Sequence, residues 1–141
     1  MEITRSYRWD MGHRLRSHQG LCRNPHGHSY TAEVTVRGPL TGAGPEEGMV
    51  LDFSRVDSAI RECVGHWDHA FMLQSGDPLA VEMTRQAAAL GEDWRVVVVP
   101  FAPTAENMAL EIAKRLETYV PGISAVTVWE TPRSSATWRR P

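Results

Sequence analysis

His26-Gly27-His28-Ser29-Tyr30-Thr31-Ala32-Glu33-Val34-Thr35-Val36-Arg37 contains the reading on which the fold turns, because Tyr30, Ala32, Val34 and Val36 recur at every second position. That two-residue period is the mark of a strand with one buried face, and it predicts a strand over about 27–37. His26 and His28 stand two apart at the mouth of this strand, so their imidazoles point to the same side.

Upstream, Ile3, Tyr7 and Trp9 share one parity and predict a first strand over 3–9. A polar stretch from Arg14 to Pro25, with Gly20 and the Asn24-Pro25 pair, separates the two strands. His13 lies just after the first strand. If the two strands pair antiparallel, His13 joins His26 and His28 as three nitrogen ligands and leaves the fourth position of a tetrahedral zinc open, the arrangement of a catalytic site. Gly27 suits a place where backbone passes close by. Cys22 precedes His26 by three residues, and Cys-x3-His-x-His could instead fill all four positions of a structural zinc. Spacing is consistent with both.

Downstream, the Gly-, Pro- and Thr-rich segment 38–48 reads as a loop. Phe53, Val56, Ile60, Cys63, Val64 and Trp67 then form one stripe of a helix over about 54–66, capped by Asp52 or Ser54. Thr104 is a good N-cap for a second helix carrying Ala105, Met108, Ala109, Ile112, Leu116 and Tyr119, stopped by Pro121-Gly122. Val96–Val99 and Ala125–Glu130 read as strands, and a further short strand is expected near Thr137–Arg139. The segment 77–92 looks helical but has no evident task. The mixed order predicts an α+β domain with antiparallel sheet against helices, spanning 1–141 as one unit.

Composition narrows the function. With 42% hydrophobic and 23% charged residues the chain has the balance of a folded globular protein. A net charge of −2 without basic runs argues against nucleic acid as a partner. No apolar stretch reaches the ~20 residues of a membrane span and the first residues lack a secretory signal, so the expected location is cytoplasmic, with Cys22 and Cys63 as free thiols. Cys63, in the apolar stripe, reads as a core residue.

Two more features bear on chemistry. Asp68-His69 puts a carboxylate beside an imidazole, which can orient a proton-transferring ring or simply end a helix in solvent. Glu130 shares the parity of Val126 and Val128, and a carboxylate on an apolar strand face needs a partner, a ligand or a route to water.

Taken in order, His13-Arg14-Leu15, Cys22 with His26-Gly27-His28-Ser29-Tyr30, Gly48-Met49-Val50-Leu51-Asp52-Phe53, Asp68-His69, Pro103-Thr104-Ala105-Glu106-Asn107 and Glu130-Thr131 resemble the 6-pyruvoyltetrahydropterin and 6-carboxytetrahydropterin synthase superfamily. The three residues between Cys22 and His26 are similar to its carboxytetrahydropterin branch. The resemblance implies the tunnelling fold: a four-stranded antiparallel sheet with two helices on one face, assembled as trimers or hexamers with active sites between subunits. It implies Zn2+ on His13, His26 and His28, with Cys22, Asp68 and His69 as catalytic groups. It also implies Glu130 as the anchor of the pterin ring, with Thr104 and Glu106 in the pocket wall. The implied activity is that of a carbon-carbon lyase that turns 7,8-dihydroneopterin triphosphate into 6-carboxy-5,6,7,8-tetrahydropterin, releasing triphosphate and acetaldehyde, on the way to 7-deazapurines such as queuosine. The alternatives are a 6-pyruvoyltetrahydropterin synthase and a non-catalytic pterin- or zinc-binding relative. Asp10-Met11-Gly12 departs from the small residues usual before the first histidine, and Leu21 stands where a polar residue is common.

Overall fold

A computed structural model describes residues 1–141. The alternating segments pair as the sequence demands. β1 (Glu2–His13) and β2 (His26–Arg37) run antiparallel in unbroken register from Glu2↔Arg37 to His13↔His26. β2 pairs with β5 (Ile123–Thr131), and β5 with β6 (Ser134–Arg139), both antiparallel. Trp9 and Met11 of β1, Tyr30, Ala32, Val34 and Val36 of β2, and Val126 and Val128 of β5 all turn to one side and are buried there.

Two helices cover that side. α1 (Phe53–Val64) buries Val56, Ile60 and Cys63, and α3 (Ala105–Leu116) buries Met108, Ile112 and Leu116. Both begin on side-chain caps: Asp52 accepts from the Ser54 N–H at 2.7 Å, and Thr104 accepts from the Asn107 N–H at 3.3 Å. After α3 the chain turns at Gly122, whose φ of 78° suits glycine and whose added Cβ would sit 2.4 Å from the Arg37 carbonyl oxygen. That close approach lets the Arg37 N–H donate to Gly122 O and brings β5 in beside β2.

The expected four-stranded sheet with two helices needs correcting. The antiparallel set β6-β5-β2-β1 is extended at the β1 side by β3 (Ala70–Gln74) and β4 (Val96–Val99), giving six strands in the order β4-β3-β1-β2-β5-β6. β3 runs parallel to β1 but touches it only at Met11–His13, and β4 runs parallel to β3. A third helix, α2 (Pro78–Leu90), joins these two strands. β3 escapes a period-based reading because it is only five residues long and its middle, Phe71-Met72-Leu73, is continuously apolar. β1 also runs four residues beyond Trp9, so His13 is inside the strand and not just after it.

The segment 77–92 thereby acquires a task. Asp77 caps α2 by accepting from the Leu79 N–H at 3.0 Å, and its nearly inaccessible carboxylate takes a two-pronged bond from Arg14, with Nε at 2.8 Å from Oδ2. Arg16 adds a bond to the Gly76 carbonyl at 2.8 Å. The start of α2 thus ties down the chain just beyond His13. The Arg14 guanidinium holds the Asp77 carboxyl below the usual carboxylate range, with the cap bond adding to it against the opposing effect of burial. Its stabilising contribution is complete above the unfolded carboxyl value of about 3.9 and is lost as pH falls through the lower folded value. Asp77→Ala should cost about 2–4 kcal/mol at neutral pH by urea denaturation, and the difference from wild type should shrink in acid.

Candidate functional site

The β1–β2 register makes His13 the direct partner of His26, and Met11 the direct partner of His28. Since Met11 and His13 share a parity, all three imidazoles lie on the helix-covered face, at the end of the two strands. Their ligand nitrogens lie within 4.8 Å of one another. Gly27 lets this happen: a Cβ there would stand 2.8 Å from the Met11 carbonyl oxygen, so the obstacle is the β1 backbone and not the ligands themselves.

Two backbone carbonyls orient the rings. Nδ1 of His13 lies 2.8 Å from Pro103 O, and Nδ1 of His26 lies 2.7 Å from Asn24 O. A carbonyl only accepts, so each Nδ1 carries the proton and each Nε2 presents a lone pair. Those two Nε2 atoms face each other at 3.1 Å, where neither neutral ring can donate. Burial pushes the His13 imidazolium down to about pKa 4, against the Pro103 carbonyl that favours it, and burial lowers His28 as well. A proton on the His13 Nε2 is therefore disfavoured at neutral pH. A metal cation satisfies the lone pairs instead: a tetrahedral ion with nitrogens at about 2.0–2.1 Å separates them by about 3.3 Å. The donor set fits a metal ion with three imidazoles.

Cys22, in a short helical turn over Leu21–Arg23, lines the same cavity of about 250 Å³ as His13 and His26. Thr104, Glu106 and Glu130 line it too, together with Ser134 and Ser135 of β6. Thr104 has a second duty here as the cap of α3. One step past the registered pair Thr31↔Trp129, Tyr30 sits beside Glu130 across the strands, its ring edge-on to His28 at 5.4 Å and stacked on Trp9 at 5.2 Å.

Asp68 and His69 are not brought into this cavity. Asp68 follows a helical turn over Gly65–Trp67, and His69 precedes β3 in the left-handed conformation, at φ 57°. His69 Nδ1 meets Asp68 Oδ1 at 3.0 Å, and the pair gathers with the Asp10 carboxylate within 4.8 Å. Asp10 has the opposite parity to Met11 and His13, so this second cluster lies on the open face of the sheet. The Asp10 N–H, followed by His69, holds the Asp68 carboxyl below the ordinary range.

Sequence reasoning missed the ring-orienting carbonyls of Asn24 and Pro103, for which side chains give no signal, and the β6 serines, whose strand was expected only near Thr137–Arg139. The model of the 6-pyruvoyl tetrahydropterin synthase family matches residues 2–141. The chain belongs to that family. It is 41% identical over 135 residues to a probable 6-carboxy-5,6,7,8-tetrahydropterin synthase of Halobacterium salinarum, covering 94% of this chain and 82% of that protein. It is 33% identical over 135 residues to the 6-carboxy-5,6,7,8-tetrahydropterin synthase of Haemophilus influenzae, covering 94% of each. In fold it is similar to an uncharacterized protein of Wolinella succinogenes, with TM-score 0.84, 24% identity and coverage of 100% and 98%. The 6-pyruvoyl tetrahydropterin synthase of Caenorhabditis elegans superposes with TM-score 0.68 at 21% identity, covering 100% of this chain and 96% of that one.

Within this family member, facing lone pairs make the metal test direct. Purified protein should carry one divalent ion per chain by elemental analysis. His26→Ala should lose it at least 100-fold more readily to a chelator, while Gly27→Ala should weaken both metal retention and thermal stability.

Proposed function

We propose that the chain converts 7,8-dihydroneopterin triphosphate and water to 6-carboxy-5,6,7,8-tetrahydropterin, acetaldehyde and triphosphate, a step toward 7-deazapurines such as queuosine, working in the cytoplasm. The observation that carries this reading is the cavity in which Cys22 and Glu130 flank imidazoles whose lone pairs face one another. The name borne by the relatives at 41% and 33% identity supports the choice of product. The three-residue gap between Cys22 and His26 supports it as well.

On this reading His13, His26 and His28 hold Zn2+, which supplies Lewis-acid polarisation of the substrate's side-chain hydroxyls. Glu130 accepts from the amino and ring N–H groups of the pterin, which gives a carboxylate on an apolar strand face its partner. Thr104 and Glu106 wall the ring. Cys22, left free by a complete imidazole set, takes or returns the side-chain proton as thiolate, and His69 moves the second proton with Asp68 holding its ring.

The position of Asp68 and His69 at the outer edge of β1, bonded to the Asp10 main chain and outside the Cys22 cavity, supports an oligomer. β3 covers only Met11–His13, so the outer edge of β1 before Asp10 has no strand beside it, and neither has the outer edge of β6. These two edges run antiparallel to each other, so head-to-tail joining of copies continues one antiparallel sheet and closes as a ring of three, stacked or not as a hexamer. The catalytic set is then assembled from two chains.

Incubation with dihydroneopterin triphosphate, followed by mass analysis, should yield the 6-carboxy product with acetaldehyde. A retained three-carbon side chain would mark a 6-pyruvoyltetrahydropterin synthase instead, and no triphosphate release from zinc-loaded protein would end the enzyme assignment. Cys22→Ala should keep one zinc per chain while losing roughly 10²–10⁴ in turnover; loss of zinc would make Cys22 a ligand. Co-expressing Cys22→Ala with His69→Ala chains should restore about a quarter of wild-type activity, since mixed interfaces unite the intact halves.

A further inference from the structure

Asp10 has no role in the scheme above, yet it touches both members of the Asp68–His69 pair. Its N–H donates to Asp68 Oδ1 at 3.0 Å, and its carbonyl accepts from the His69 N–H at 2.7 Å. One residue of β1 therefore grips two successive residues, the second of them in the left-handed conformation that non-glycine residues rarely adopt. Any amino acid could make those two backbone bonds. The carboxylate is another matter. Its Oδ1 accepts from Oγ of Ser29 at 2.5 Å, and Ser29 is the direct cross-strand partner of Asp10. That bond aims the charge at the cluster in which the Asp10 carboxylate, the Asp68 carboxylate and a His69 ring nitrogen lie within 4.8 Å of one another. Two like charges so close favour cations beside them: the Arg95 guanidinium, which donates to the Asp68 carbonyl oxygen at 2.8 Å, is one, and the imidazole, nearer the two carboxylates, can become another.

We propose that Asp10, aimed by Ser29, is a positioning residue for His69: it fixes the ring's place beside Asp68 and meets the ring with a second negative charge when the ring takes up a proton. This inference rests on the proton-transfer role given to His69 above.

Asp10→Asn tests it, because the variant keeps the exposed side chain's shape and both backbone bonds while removing the charge. Its kcat should fall about 10- to 100-fold. KM, zinc content and melting temperature should stay at wild-type values, since Glu130 and the three imidazoles are untouched. In a His69→Ala background followed by single-turnover kinetics, Asp10→Asn should produce no further loss, because it acts through the ring. Ser29→Ala, which leaves the charge but frees it, should show a smaller loss of the same kcat-only kind, and it carries the test should Asp10→Asn prove unstable. Wild-type kcat in both single variants, or an equal loss with and without His69, overturns the proposal while leaving the proton-transfer reading intact. Full turnover by His69→Ala removes that reading and this proposal together.

Discussion

The pairing of β1 with β2 is the constraint on which both the core and the candidate metal centre rest. Its register sets His13 against His26, and the same register sets Trp9 against Tyr30 and Tyr7 against Ala32 on the buried face. A slip of one residue would exchange Tyr30, Ala32, Val34 and Val36 for Ser29, Thr31, Glu33 and Thr35 beneath the helices. At about 1.5–3 kcal/mol for each large apolar side chain buried, such a slip is forbidden by the core alone. The imidazoles need no separate device to converge; they take their alignment from hydrophobic burial further along the same strands.

That dependence explains what was legible in the sequence. Alternation at Tyr30–Val36 gave the strand, the face and hence the convergence of His26 with His28, while Asp52 and Thr104 announced two helix starts as caps with chemistry of their own. What was not legible lacks a periodic or side-chain signature. β3 is a five-residue strand with a continuously apolar middle, too short and too uniform to show a period. The Asn24 and Pro103 carbonyls that fix the tautomers of His26 and His13 belong to the backbone, which every residue carries alike. Arg14–Asp77 links positions 63 apart, and only the folded chain puts them together.

Rigidity at the centre has a second source in the segments that end there. His13 is held through Nδ1 by the residue preceding the cap of α3, and its neighbour Arg14 by the cap of α2. Two helix starts thus converge on the last residues of β1, where the carbonyl preceding one cap and the carboxylate of the other accept from His13 and Arg14. The cost is a pair of facing lone pairs, one of them on the buried ring of His13. A cation held between the two nitrogens relieves that contact while leaving both carbonyl bonds intact.

The open face presents the complementary problem. A sheet separates its two faces by the thickness of its own backbone and side chains, and parity forbids Asp10 and His13 from pointing the same way. No rotamer change in a single chain carries His69 from one side to the other, because its own N–H is bonded to Asp10 and its ring to Asp68. If the proposed chemistry needs Cys22 and His69 at one substrate, the solution must be topological. The pair is bonded to the outer main-chain edge of β1 at Asp10, and a second copy joined along that edge would bring its own residues up to it. Edge strands elsewhere are a liability to be blunted. Here the uncovered edge ends beside Asp68 and His69, and the proposed sharing of catalytic groups between two copies would give its exposure a use.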